Sequence, residues 1–152
     1  MRLASITLGA EALEVTSADL ARIEAELGLQ LPVDYRALML SYPSFLREAY
    51  YNSPVGGRAS DALLFADPDR VIAYNRGWRD DDFLLGENDS RPRQDRHLII
   101  GEDCGGNCWC VKLSGEDHAV WLFDHEDGSL VQSAASLAEH LEHLRQHLAE
   151  VD

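Results

Sequence analysis

The sequence is short of three things: long apolar runs, basic residues and cysteines. No stretch approaches the roughly 18 consecutive apolar residues of a membrane helix. Lys and Arg total 13 against 27 Asp and Glu, a net charge of -14. A field of that sign repels phosphate backbones and anionic lipid, which argues against nucleic acid and membranes as partners. It speeds encounter with a basic protein, although solvation alone also accounts for such a charge. The cysteines number three, an odd count. Together with a start, "MRLASITLGAEALE", that reads as a terminal strand rather than a signal peptide, this points to a reducing cytoplasm.

Catalytic signatures are missing as well. There is no G-x-S-x-G elbow, no phosphate-cradling P-loop and no H-E-x-x-H zinc motif. "GEDCGGN" has glycines but opens a strand, so it lacks the helix N-terminus that binds phosphate. "FDHEDG" is acidic but lacks the longer spacing of an EF-hand. What is present is an ordinary globular chain of 152 residues, 45% hydrophobic. That length suits one domain and buries about 70% of the unfolded surface without help from metal or disulfide.

The first half reads as helices. "TSADLARIEAELG" has a Thr16 cap with Asp19 three residues on, apolar Leu20, Ile23 and Leu27 at helical spacing, and Gly28 as a stop. "LQLPVDYRALMLSYP" is a second helix, with Pro32 in its first turn, Leu38 and Met39 turned inward and Pro43 ending it. "YNSPVGGRAS" is a loop and "ALLF" a short apolar strand. Asp67 and Pro68 open a third helix in "ADPDRVIAYNRGW". "DDDFLLGENDSRPRQDR" is polar and irregular. The period then changes. "HLIIG", "CWCVKLS", "AVWLFDH" and "SLVQS" are strands joined by turns too short for anything but antiparallel pairing. "SLAEHLEHLRQHL" closes as a helix with a Ser136–Glu139 capping box and a stripe of Leu137, Leu141, Leu144 and Leu148. The result is a single α+β domain over 1–152, with a mostly antiparallel sheet of about four to six strands packed against helices.

Two clusters invite a metal-dependent or redox reading. In "CWCVKL", Cys108, Cys110 and Lys112 share one face, and Trp109, Val111 and Leu113 the other. With Cys104 the spacing is C-x3-C-x-C, which fits neither zinc knuckles nor a thioredoxin-like pair. The thiols therefore read first as small apolar residues in a sheet, with a metal or redox site as the alternative. His140, His143 and His147 form a stripe on the last helix, read as its half-exposed flank, though His143 and His147 have the spacing to clip a metal. Trp109 and Trp121 suit the core, while Trp78 can serve either core or surface.

Four motifs in order resemble one family. "ELGLQLPVDYRALMLSYPSFLREA" carries Leu31, Pro32, Asp34 and Tyr35 of an acidic helix followed by L-P-x-D/E-Y, the N-terminal signature of the SUKH superfamily. "LIIGEDCGGNCWCVKL" resembles its I-G-x-D-x-x-G-N/D turn at Ile100, Gly101, Asp103, Gly106 and Asn107. "AVWLFDHEDGSL" is similar to its next hairpin. "SAASLAEHLEHL" is similar to its closing helix at Ser136, Leu137 and Leu141. "LLFADPDRVIAYNRGWR" resembles the middle segment of bacterial members, so the likeness runs from about Thr16 to Leu148.

The resemblance implies an α+β fold, no catalytic residues, no cofactor and a protein partner. Bacterial members typically neutralise a cognate polymorphic toxin, often a nuclease, by binding it. A regulatory or scaffold adaptor like the yeast cell-wall-assembly regulator is the second expectation. A metal-dependent enzyme using the cysteines or histidines is the third. If binding is the task, the expected partner-binding residues are exposed acids in loops and at strand ends. These are Asp80, Asp81, Asp82, Glu102, Asp103, Glu116, Asp117, Asp124, Glu126 and Asp127. The partner is then a basic protein. Oligomeric state is left open.

Overall fold

The computed structural model describes residues 14–51, 57–80, 96–103, 105–115 and 117–150. Helix α1, Ser17–Leu27, begins where the Thr16 hydroxyl accepts the Asp19 N–H and the Asp19 carboxylate accepts the Thr16 N–H. It ends at Gly28, whose φ of +66° lies in the left-handed region that glycine enters without penalty. Leu20, Ile23 and Leu27 are buried as the spacing predicts. Helix α2, Val33–Leu40, starts after Pro32 and buries Tyr35 and Met39. Leu38 packs partly against the core. Glu24 couples the two helices: its carboxylate accepts the Leu31 N–H at 3.0 Å and pairs with Arg36 at 2.5 Å.

Pro43 does more than stop α2. It precedes a short helix α3, Ser44–Glu48, and a single 3-10 turn follows at Ala59–Asp61. Helix α4, Pro68–Asp80, starts where the Asp67 carboxylate accepts the Asp69 N–H. Four strands then form one antiparallel meander in the order β1 (His97–Glu102), β2 (Cys108–Lys112), β3 (Val120–Asp124), β4 (Ser129–Ala134). Helix α5, Leu137–Glu150, closes the chain, with the Ser136 hydroxyl accepting the Glu139 N–H. The Glu139 carboxylate reaches back to the N–H of Ala135 rather than Ser136, a one-residue variation on the capping box. The fold is the α+β single domain read from the sequence. Among the described residues no helix is long and apolar enough to cross a membrane.

Burial falls across the sheet. In β1, Leu98, Ile99, Ile100 and Gly101 are all buried, as in a strand covered on both faces. In β4 only Ala134 is buried and Val131 is 50% exposed. The edges differ in the same sense. The outer edge of β1 is sealed by side chain and loop. Asn75 of α4 accepts the Ile99 N–H at 2.9 Å and donates to the Ile99 carbonyl at 3.0 Å. Phe65 N–H donates to the Ile100 carbonyl, and Glu102 N–H to the Ala62 carbonyl, both at 2.9 Å. The register of β1 against β2 shifts between Ile99 and Gly101, a bulge that turns these groups outward.

The "ALLF" segment is thus not the expected strand. Leu64 N–H and Ala66 N–H bond back to Ala59 and Ser60 in the 3-10 turn, curling the chain so that Leu63, Leu64 and Phe65 are all fully buried. A strand would alternate one of them outward. Gly101 makes the close approach possible, since a Cβ there would stand 2.0 Å from the Leu63 carbonyl oxygen.

Candidate functional site

The meander places the β1–β2 and β3–β4 turns at one end of the sheet and the β2–β3 turn at the other. The first two turns are tied together. Asp103 organises the β1–β2 turn: one carboxylate oxygen accepts the N–H groups of Gly105 and Asn107, and the other accepts the Asn107 side-chain amide at 3.0 Å. The Asn107 side-chain oxygen then faces the next hairpin and accepts the His125 N–H at 3.1 Å, with the ring Nδ1 at 2.8 Å. That oxygen only accepts, so the neutral imidazole carries its proton on Nδ1. Gly106, at φ +96°, lies under the ring; a Cβ there would come within 2.9–3.1 Å of its atoms. The Gly-Asn pair therefore serves as the seat of His125.

The β3–β4 turn is hydrogen-bonded in the same way. Asp124 accepts the Glu126 N–H at 2.9 Å and Asp127 accepts the Ser129 N–H at 2.8 Å. Hydrogen bonds from Ser129 hold the Asp127 carboxyl below its ordinary pKa, so it is ionised at neutral pH. Glu126 stands exposed at the tip.

The predicted partner-binding acids divide accordingly. Glu102, Asp103, Asp124, Glu126 and Asp127 share one end of the sheet. Within it Glu102 is paired with Arg70 at 2.7 Å and Asp103 is used up in its turn, which leaves Glu126 and Asp127 exposed and Asp124 half-buried beneath them, holding the Glu126 N–H. Asp117 lies at the opposite end, held by Lys112 at 3.0 Å. The Ala119 N–H, then Lys112, keep its pKa low. Asp80 ends α4, its side chain outside the described residues, where Asp81, Asp82 and Glu116 also fall. One further acid was not singled out: Asp34 of α2 pairs with His118 at 2.8 Å beside the β2–β3 turn. Residues 84 positions apart make that pair, and no local pattern announces it.

The thiols and imidazoles offer little chemistry. Cys108 and Cys110 are free and fully buried, and burial raises both pKa values, that of Cys110 to about 12. Such thiols stay protonated and pack as small apolar side chains. Cys104 lies outside the described residues. The histidine stripe is not the half-exposed flank expected. His140 is buried, its ring 5.1 Å from that of Trp109. Burial, then the neighbouring His143, lowers its pKa to about 4. The reason is the position of α5, which rests on Trp109 of β2 and turns His140 inward between Leu137 and Leu144, while His143 and His147 stay outside. Trp109 and Trp121 are half-buried against the core, on opposite faces of the sheet, with Lys112 over the Trp121 ring; the Trp78 side chain is outside the described residues. Among the described residues no group of three or more His, Cys, Asp or Glu can hold a metal ion.

A shallow hollow of about 470 Å³ lies between α3 and the end of α5, lined by Phe45, Glu48, Tyr50, Arg145 and Leu148. Arg145 is stacked on Phe45 there, and the lining holds no thiol and no imidazole. What the molecule offers is surface: hydrogen-bonded acidic turns, an uncharged outer strand and exposed Val33, Leu40 and Tyr50. No curated protein and no solved structure matches the chain. The model of the SMI1 / KNR4 family (SUKH-1) matches residues 14–143, from the residue before Val15 to the middle of α5, and the chain belongs to that family.

Proposed function

We propose that this protein is a non-catalytic binding domain, an immunity protein that neutralises a cognate toxin by covering its basic, nucleic-acid-gripping surface. Family membership over residues 14–143 carries this reading. The chemistry supports it: buried, protonated thiols supply no thiolate, and the hydrogen-bonded β3–β4 turn presents carboxylates outward. A chain of net charge -14 attracts a nuclease surface built to hold phosphate. Such a protein acts in the cytoplasm, where the toxin would otherwise reach its target.

The test is co-expression with the toxin-like gene nearest its own, scored by host survival and co-purification. Survival with a stable one-to-one complex is the expected result. Death of the cells despite folded protein, or the lack of such a neighbouring gene, overturns the immunity reading. The regulatory adaptor, for which the SMI1 / KNR4 match also speaks, then takes its place.

A further inference from the structure

The two edges of the sheet are treated differently. The β1 edge is closed by Asn75, by the 62–65 segment and by a bulge, three devices that stop a strand from pairing further. On β4, Ser129–Ala134, the described residues supply no hydrogen-bonded side chain or loop beyond the Asp127 bond at Ser129, and the one bulge lies near its far end, at Ser133. The strand pairs with β3 on one side only and is six residues long. It has no proline and no charge. The register irregularity of this hairpin lies between Gln132 and Ala134, where Ser133 is the extra residue on β4, so Ser129–Gln132 runs in regular register. Val131 and Gln132 are exposed. An edge of this kind is a template for another strand.

Charge selects the occupant. One end of β4 abuts the hydrogen-bonded tip carrying Asp124, Glu126 and Asp127. Just past the other end, Glu139 is anchored by the Ala135 N–H with its side chain 47% exposed. Carboxylates thus bracket an uncharged stretch spanning roughly 20 Å. A second copy would bring like charges together at both ends, and its own net charge of -14 opposes approach.

We propose that the outer edge of β4 takes an extended segment of a basic protein as a fifth strand, uncharged in the middle and flanked on both sides by Lys or Arg. This rests on the reading of the chain as a binder of a basic partner and names the surface used. Backbone hydrogen bonds to Ser129–Gln132 supply affinity, and the flanking cations meet Glu126 and Asp127 at one end and Glu139 at the other.

The test uses the full chain and two capped nine-residue peptides, KKTVTVTKK and EETVTVTEE, followed by amide NMR and hydrogen exchange. The lysine peptide should shift β4 amides saturably and slow exchange at alternate β4 positions by at least tenfold. The glutamate peptide should do neither. Val131→Lys should weaken the lysine peptide at least tenfold, and Glu126→Gln several-fold, with unchanged urea midpoints. Binding that leaves β4 unperturbed, equal binding of both peptides, or no binding at about 1 mM peptide overturns the proposal. So does a concentration-dependent dimer that protects β4, which assigns the edge to a second copy. Peptide docking on β4 with failed toxin neutralisation keeps the edge and removes the immunity reading. Neutralisation with a silent β4 does the reverse.

Discussion

A methyl group at Gly101 would meet the Leu63 carbonyl oxygen at 2.0 Å, a backbone atom held by the curl of residues 59–66. Gly101→Ala must therefore push the 62–65 segment off β1, and we expect a loss of about 2–3 kcal/mol, read as a lower urea midpoint. Gly77 in α4 has open space around its Cβ position. Gly77→Ala should raise stability by about 0.5–1 kcal/mol, because alanine restricts the unfolded chain and suits a helix. His140 links a residue to pH. Its folded pKa of about 4 lies below the ordinary 6.5, so the unfolded chain binds the proton more readily. The stability of the neutral, buried ring is complete above pH 6.5 and is lost as pH falls toward 4. Between pH 7.5 and 4.5 the wild type should lose about 2 kcal/mol more than His140→Leu, measured by urea unfolding of both at each pH. Equal losses would mean that the ring is not buried in solution.

At the scale of elements, Asn75 holds α4 to the sheet by bonds no local pattern reveals. Asn75→Ala leaves the Ile99 N–H and carbonyl without their partner at a buried edge. We expect a loss of about 2–4 kcal/mol and faster exchange of the Ile99 amide. Regular elements were legible because their signals are local. Thr16 with Asp19 and Gly28 bound α1, and the turns around Asp103 and Asp127 separate strands of period two. The misreadings fall where distant segments decide. "ALLF" has strand composition, yet Ala59, Ser60 and the bulge at Gly101 bend it. The histidine stripe follows helical spacing, but the side it presents depends on Trp109. The candidate acids were recognisable as loop residues. Their division between two ends of the sheet follows from the meander, and the loss of Glu102 to Arg70 and of Asp117 to Lys112 from tertiary pairing.

For the whole molecule, a net charge of -14 creates a field that any basic partner feels before contact. Two components of that field can be separated. Net charge acts from every side, whereas the tip of Asp124, Glu126 and Asp127 is proposed to set direction at one end of the sheet. Glu126→Gln should slow association with the proposed toxin partner about two- to fivefold at low salt and alter dissociation less than twofold, since an exposed rim charge works through encounter. The difference should vanish near 0.5 M salt, where the screening length falls to a few ångströms. Asp117→Asn makes the matched control. It removes one charge at the opposite end, from a carboxylate already neutralised by Lys112, and should leave the association rate within about 1.5-fold. Stopped-flow association at two or more salt concentrations reads both variants. Equal slowing by the two would show that the partner responds to total charge alone, and the tip would lose its directing role.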